Sequence, residues 1–306
     1  MASNQEPIAY WNGKMTPAAD AVVPVTDMGF VHGATVTEVL RTFHLTPYRL
    51  EDHLKRLERS AKRAHIPWPQ TQRKIGKAVL EVVRHNGQLI GPNEELGVTM
   101  FVTAGPNPTY VGPNANDGGL VGVHTWRLPM ELWAEKMRNG QELRTPKTRA
   151  IPVDSLDPTI KSRSRLHWYI ADRQVRAEFP KASALLLDHD DHITETSTGN
   201  FFVVIDGEIL TPPEADTLPG ISRMVVQELA AELGIGFRFT KLHRNSVRNA
   251  SEAFTSSTPY CLMPVRSYDG HEIGSDCPGP VFQQLMTAWS DRVDLDIVGQ
   301  IVSHSP

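Results

Sequence analysis

Cysteine is nearly absent. Cys261 and Cys277 are the two in 306 residues. Two thiols build no disulfide framework, so a reducing, cytoplasmic setting is the expectation. No apolar run approaches the roughly 20 residues of a membrane span. Met1 to Pro7 is polar and has no signal-peptide core. Basic tracts are missing as well. The net charge is −4, and Lys55-Arg56 and Lys62-Arg63 alternate with Glu51, Asp52 and Glu58 as on a solvated helix face. Nucleic acid is therefore not an expected partner. There is no P-loop, no dinucleotide-binding glycine fingerprint and no nucleophile elbow. Asp188 to His192 holds two histidines and three aspartates. It lies where two apolar strands need a turn, without cysteine or EF-hand spacing, and no metal is expected there. No repeat or low-complexity segment appears.

What is present is ordinary globular composition, 40% hydrophobic and 22% charged, enough for a sizeable core. Tyr10-Trp11-Asn12-Gly13-Lys14 carries a hairpin signal, and Ala21 to Val25 is a short strand candidate. Helical spacing covers His53 to Ala64 and Ile75 to Arg84, with Val79, Leu80 and Val83 facing inward. Leu96 to Thr103 and Gly119 to Trp126 are expected strands flanking a long loop, Gly105 to Gly119. After a proline-rich loop, Thr145 to Pro158, a helix is expected over about 164–179. Strands follow at Ala184 to Asp188 and Ile193 to Ile205, with a hairpin turn at Asp206-Gly207. A helix over 222–233 is closed by Gly234. Strands at Phe237 to Lys241 and Ala253 to Thr255 and a helix from Pro280 to Trp289 complete the reading. Without regular βαβ alternation, the class is α+β or mixed α/β.

Three short stretches carry the chemistry. Lys161 follows the loop Leu156-Asp157-Pro158-Thr159-Ile160, with Arg163 and Arg165 close behind. Glu195 stands in Ile193-Thr194-Glu195-Thr196, and Leu218-Pro219-Gly220-Ile221-Ser222-Arg223 opens a helix. An amine, a carboxylate and an anion-binding helix start are the parts that hold a phosphorylated pyridine aldehyde. A lysine with a lowered pKa forms a Schiff base, and a carboxylate beside a pyridine nitrogen keeps the ring an electron sink. Gly220 admits a ligand to the backbone, Ser222 is a candidate cap, and the helix start attracts an anion. Hydroxyls in Ser256-Ser257-Thr258 suit a further phosphate contact. Taken singly, each has a plainer reading: an exposed lysine, an edge glutamate, a Ser-capped helix, a turn.

In order, these segments resemble the class IV, fold-type IV pyridoxal phosphate aminotransferases over nearly the whole chain. The resemblance includes Asn12-Gly13, Asp27-Met28-Gly29-Phe30, Gly33 through Arg41, and His53-Leu54-Lys55-Arg56-Leu57. It implies a small N-terminal α/β domain (1–126), a linker (127–132) and a larger C-terminal cofactor-binding domain with a pseudo-barrel sheet (133–306). It also implies a homodimer or higher homo-oligomer. Lys161 matches the Schiff-base lysine and Glu195 the pyridine partner. Arg56, Ile221, Ser222 and Thr258 match phosphate ligands, and Arg165 stands near the ring. Amino acid or amine donors and 2-oxo acid acceptors are the implied substrates.

Ala250 to Phe254 and Pro264 to Gly270 look most like branched-chain aminotransferases. The substrate side departs from them. Val98 and Ala104 stand where relatives carry carboxylate arginines, and Pro259 has no N–H to offer. His32, Thr37, Arg41, Tyr110 and Pro259 are expected around the pocket with Val98, and Arg163 is a further candidate. Arg165 in an Arg-Leu pair resembles aminodeoxychorismate lyases, which release pyruvate and 4-aminobenzoate. An (R)-selective amine or D-amino acid transaminase is the other alternative.

Overall fold

The structure, a computed structural model, describes residues 6–113 and 118–304. The N-terminal stretch 1–5 and part of the 105–119 loop lie outside the described residues. The chain divides into two compact units. The first is Met1–Leu128 with Ile160–Ser164, and the second is Pro129–Thr159 with Arg165–Pro306. The division falls within the segment read as a linker. The five residues around Lys161 group with the first unit, although the sequence alone assigns them to the second domain.

The first unit is one sheet covered by two helices. Its strands are β1 (Ile8–Trp11), β2 (Lys14–Pro17), β3 (Thr35–Phe43), β4 (Thr46–Pro47), β5 (Leu96–Thr103) and β6 (Val121–Arg127), ordered β2-β1-β6-β5-β3-β4. Its helices are α1 (Met28–Val31), α2 (Leu50–Arg63), α3 (Gln72–Asn86) and α4 (Pro108–Val111). The Asn12-Gly13 turn joins β1 to β2 with both residues at positive φ, as a tight hairpin needs. Alternation sorts the sheet's side chains into two sets. Val36 and Leu40 of β3 pack with Leu96, Val98, Met100 and Val102 of β5 against Leu54, Leu57, Ala61, Ile75 and Val79 of the two long helices. The intervening residues, among them Thr99, Phe101 and Thr103, face the other way. Two expectations fail here. Ala21 to Val25 forms no strand and leaves Val22 and Val25 exposed, and Leu80 on α3 points outward at 52% exposure.

The second unit is built on a ring of strands. They are β7 (Gln141–Arg144), β8 (Ser183–Leu187), β9 (Ile193–Thr196), β10 (Asn200–Ile205), β11 (Glu208–Thr211), β12 (Phe237–Phe239), β13 (Glu252–Ser257), β14 (Cys261–Tyr268) and β15 (His271–Glu272). The order β12-β11-β10-β13-β14-β7-β8-β9 closes on itself because β9 also pairs with β10. The closing pair is Glu195 opposite Asn200. Leu143, Leu185, Leu187, Ile193, Phe201, Val203 and Val265 form one buried cluster across the ring strands. Helices α5 (Ala134–Asn139), α6 (Leu166–Glu178), α7 (Ile221–Glu232), α8 (Pro280–Val293) and α9 (Ile297–Val302) complete the unit. Of these, α6 covers β8 through Trp168, Ala171 and Val175.

The continuous strand expected over 193–205 is instead two antiparallel strands. Thr196 turns the chain by donating its hydroxyl to the Gly199 carbonyl while its Oγ1 accepts from the Gly199 N–H. The 188–192 segment is a turn, in which Asp188 accepts from the Asp190 and His192 amides.

Candidate active site

In the first unit, Lys161 lies on a strap laid against β3. The Thr37 amide donates to the Lys161 carbonyl at 2.9 Å, and the Arg163 amide donates to the Thr35 carbonyl at 2.8 Å. Ser162 between them forms an antiparallel bridge to Val36, and the Lys161 amide donates to the Ser60 hydroxyl at 3.2 Å. Lys161 is thus fixed at its backbone by a strand edge and a helix. Ser60 belongs to α2, and so do His53 and Arg56, one helical turn apart on its buried side.

His53 and Arg56 both reach Glu38 of β3. Arg56 donates from Nε at 2.6 Å and Nη2 at 2.7 Å, a two-pronged pair, and His53 Nδ1 meets the carboxylate at 2.7 Å. All three are buried. Burial alone would raise the Glu38 carboxyl. The charge and hydrogen bonds of Arg56, helped by the His53 hydrogen bond, outweigh it and hold the group down at about 2. His53 is itself pushed down, first by burial, with the charges of Arg56 and Lys161 opposing protonation. The Glu38 hydrogen bond and charge pull the other way, and burial outweighs them. Arg56 is held in a fixed pose by the Glu38 carboxylate.

In the second unit, Glu195 sits at the ring's closing seam. The Asn200 amide group donates to it at 3.2 Å, and the Leu218 N–H lies 3.3 Å from one of its carboxylate oxygens. Asn200 also donates to the Leu218 carbonyl at 2.9 Å, so one side chain ties the carboxylate to the loop that leads into α7. That helix starts at Gly220, which supplies no side-chain cap, and Ser222 lies inside the first turn instead of capping it. A methyl group on Gly220 would stand 2.1 Å from the Asn200 amide oxygen, so only glycine fits. The first turn's N–H groups are the donors that a helix start leaves over, and the helix dipole adds positive potential there. Ser256, paired with Asn200 across the β10–β13 ladder, has a buried hydroxyl with no partner among the described residues. A buried orphan hydroxyl is costly unless a further group accepts from it. The seam therefore offers a carboxylate for a cationic ring nitrogen and an uncapped helix start for an anion.

The family model for class IV amino-transferases matches residues 35–268. The chain belongs to that family. A branched-chain-amino-acid aminotransferase of Salmonella typhimurium is 29% identical over 94% of both chains, and that of Escherichia coli strain K12 is 28% identical over the same shares. Among solved structures, a T.th. branched-chain amino acid aminotransferase with pyridoxamine 5′-phosphate superposes with a TM-score of 0.84 at 27% identity, covering 94% of each chain. The Escherichia coli branched-chain enzyme gives 0.84 at 28% identity, over 99% of this chain and 97% of its own.

Within this class IV aminotransferase the sequence-derived site residues separate sharply. Lys161 and Arg56 belong to the first unit. Glu195, Ile221, Ser222 and Thr258 belong to the second, with Thr258 in the turn after β13. Arg165 caps α6 and donates to the Ser197 carbonyl, two residues past Glu195, with its guanidinium 5.7 Å from the Trp168 ring. Among the expected pocket residues, Val98 is a correction. It is fully buried in the helix-covered core because it shares the alternation of Leu96 and Met100. Arg41 is buried at 1% exposure, donates to the Thr42 carbonyl and lies 4.1 Å over the Phe43 ring. Thr37 donates its hydroxyl to the Met100 carbonyl. His32 ends α1, Tyr110 stands exposed on α4, and Pro259 lies half-buried in the β13–β14 turn.

Sequence reasoning offers the Ser256 hydroxyl as a phosphate contact but misses the tie that Asn200 makes, whose signal is one polar residue opening the apolar strand β10.

Proposed function

We propose that the protein is a pyridoxal phosphate-dependent aminotransferase. It moves an amino group between an amino acid and a 2-oxo acid, with branched-chain substrates as the first expectation from its named relatives. The observation that carries the reading is the seam at Glu195, where the carboxylate, Asn200 and the uncapped start of α7 form one hydrogen-bonded group. The orphan Ser256 hydroxyl and the space kept at Gly220 fit a phosphate-bearing pyridine there.

When bound, that cofactor supplies an electron sink for the carbon that loses its proton. Lys161 would hold it through its ε-amine, and that amine would move the proton at the substrate's amino-bearing carbon. Glu195 would keep a proton on its ring nitrogen. The amides of Ile221 and Ser222, with Arg56 and Thr258, would be the phosphate's ligands. Glu38 and His53 hold Arg56 in position for that contact.

The reading includes a cytoplasmic protein that works as a homodimer. Two free cysteines support the first part. Leu166 and Tyr169, exposed on the outer face of α6, support the second. Light scattering at twice the monomer mass and recovery in the cytosolic fraction are the expected results.

The deciding experiment is a half-reaction. Holoenzyme mixed with an amino donor alone should lose its yellow colour, and a 2-oxo acid added afterwards should restore it. If no donor across L- and D-amino acids and both 1-phenylethylamine enantiomers does this, while aminodeoxychorismate yields pyruvate and 4-aminobenzoate, the protein is a lyase.

A further inference from the structure

Arg163 is a cation held on an aromatic floor with no acidic partner. Its guanidinium lies 5.8 Å from the centre of the Phe101 ring, and among the described residues no carboxylate pairs with it. The floor is built for that contact. Phe101 meets Trp11 edge to face at 5.5 Å. Both rings lie over Gly122, where any Cβ would come within 2.5 Å of Phe101 and 2.7 Å of Trp11. His124, two residues further along β6, faces the same way and feels the Arg163 charge. Burial first, and that charge second, keep its imidazole neutral. Arg163 as a residue is exposed, yet its charged end is crowded enough for burial to lower its own pKa.

The position matters as much as the charge. Phe101 pairs directly with Thr37, and Thr37 holds the Lys161 carbonyl. Lys161 and Arg163 are two apart on an extended strap, about 7 Å along the backbone and on the same side of it. A guanidinium half-withdrawn from water gains most from a planar, two-oxygen anion, and the ring beneath it fixes its plane.

We propose that Arg163, seated on Phe101 with His124 beside it, is the subsite that binds the substrate's carboxylate. The proposal rests on the aminotransferase reading for the identity of that substrate. It makes the enzyme selective for amino and oxo acids over simple amines.

The test is equilibrium binding to the holoenzyme of 4-methylvalerate, which has a carboxylate and no amine or ketone, and of its neutral amide. Wild type should prefer the acid by about tenfold or more. R163Q should lose that preference with little change for the amide, and R163K should keep part of it. The proposal is overturned if wild type binds acid and amide alike, or if R163K and a folded R163Q retain the full preference. The wild-type comparison stands even where R163Q does not fold. Acid binding through Arg163 in a protein that transfers no amino group would defeat the transaminase reading and leave the subsite standing.

Discussion

Two glutamates carry the molecule's central charges, and they are held in opposite ways. Glu38 is completely buried and meets Arg56 and His53 at 2.6–2.7 Å. Glu195 is half-buried, and Asn200 and Leu218 reach it at 3.2–3.4 Å. The first is a committed carboxylate, whose charge is taken up in fixing an arginine. The second accepts from the Asn200 side-chain amide and the Leu218 N–H at longer range. The proposed roles match: a carboxylate meant to meet an arriving ring nitrogen suits the second arrangement, and one meant to hold an arginine still suits the first. Sequence position does not distinguish them, since both are strand glutamates.

The contrast can be tested by substitution, beginning with the lysine of the proposed reaction. Lys161→Ala should abolish amino transfer, by at least roughly 10³-fold, with an unchanged circular dichroism spectrum. Residual turnover within tenfold of wild type would show that another group moves the proton. Glu38→Gln should cost roughly 3–5 kcal/mol in urea unfolding, because it strands a buried guanidinium. It should also weaken inorganic phosphate binding to the apoprotein. Glu195→Gln should do the reverse, slowing turnover about 100-fold while moving stability by less than about 1 kcal/mol. If the two glutamine variants behaved alike in urea, the distinction drawn between them would be wrong.

Acidity sharpens the same contrast. Glu38 titrates at about 2 in the folded chain against 4.5 for the free side chain. Its stabilisation is therefore complete above about 4.5 and lost as pH falls through 2. His53, held below 6.5, adds a loss in the same direction once pH drops beneath its ordinary value. Unfolding midpoints should fall steadily from pH 6.5 downward, and Glu38→Gln should flatten the acid end of that curve. An unchanged curve in the variant would remove Glu38 from the account.

Much of this can be read in the chain. The α2 helix, the β10–β11 hairpin at Asp206-Gly207 and the glycine opening α7 announce themselves by period and turn chemistry. The long strand expected over 193–205 fails because Thr196, a good strand residue, turns the chain through its own hydroxyl. Resemblance puts Val98 in the pocket, although alternation with Leu96, Met100 and Val102 assigns it to the core. The Glu38–His53–Arg56 group is scattered over two elements. Helical spacing links its last two members, and the signature from Gly33 to Arg41 contains Glu38 without showing that it is their shared carboxylate.

The strap at 160–164 has a consequence for how this protein can be divided. The lysine is encoded more than thirty residues after the last strand of the sheet that holds its backbone. A fragment ending at residue 128 would keep that sheet, the Glu38 group and the Phe101 floor, yet carry no amine. A fragment starting at residue 129 would carry the amine on a segment deprived of the β3 edge and the Ser60 hydroxyl. Neither half is a smaller enzyme. The two can be exchanged between relatives only if five residues from the middle of the second travel with the first.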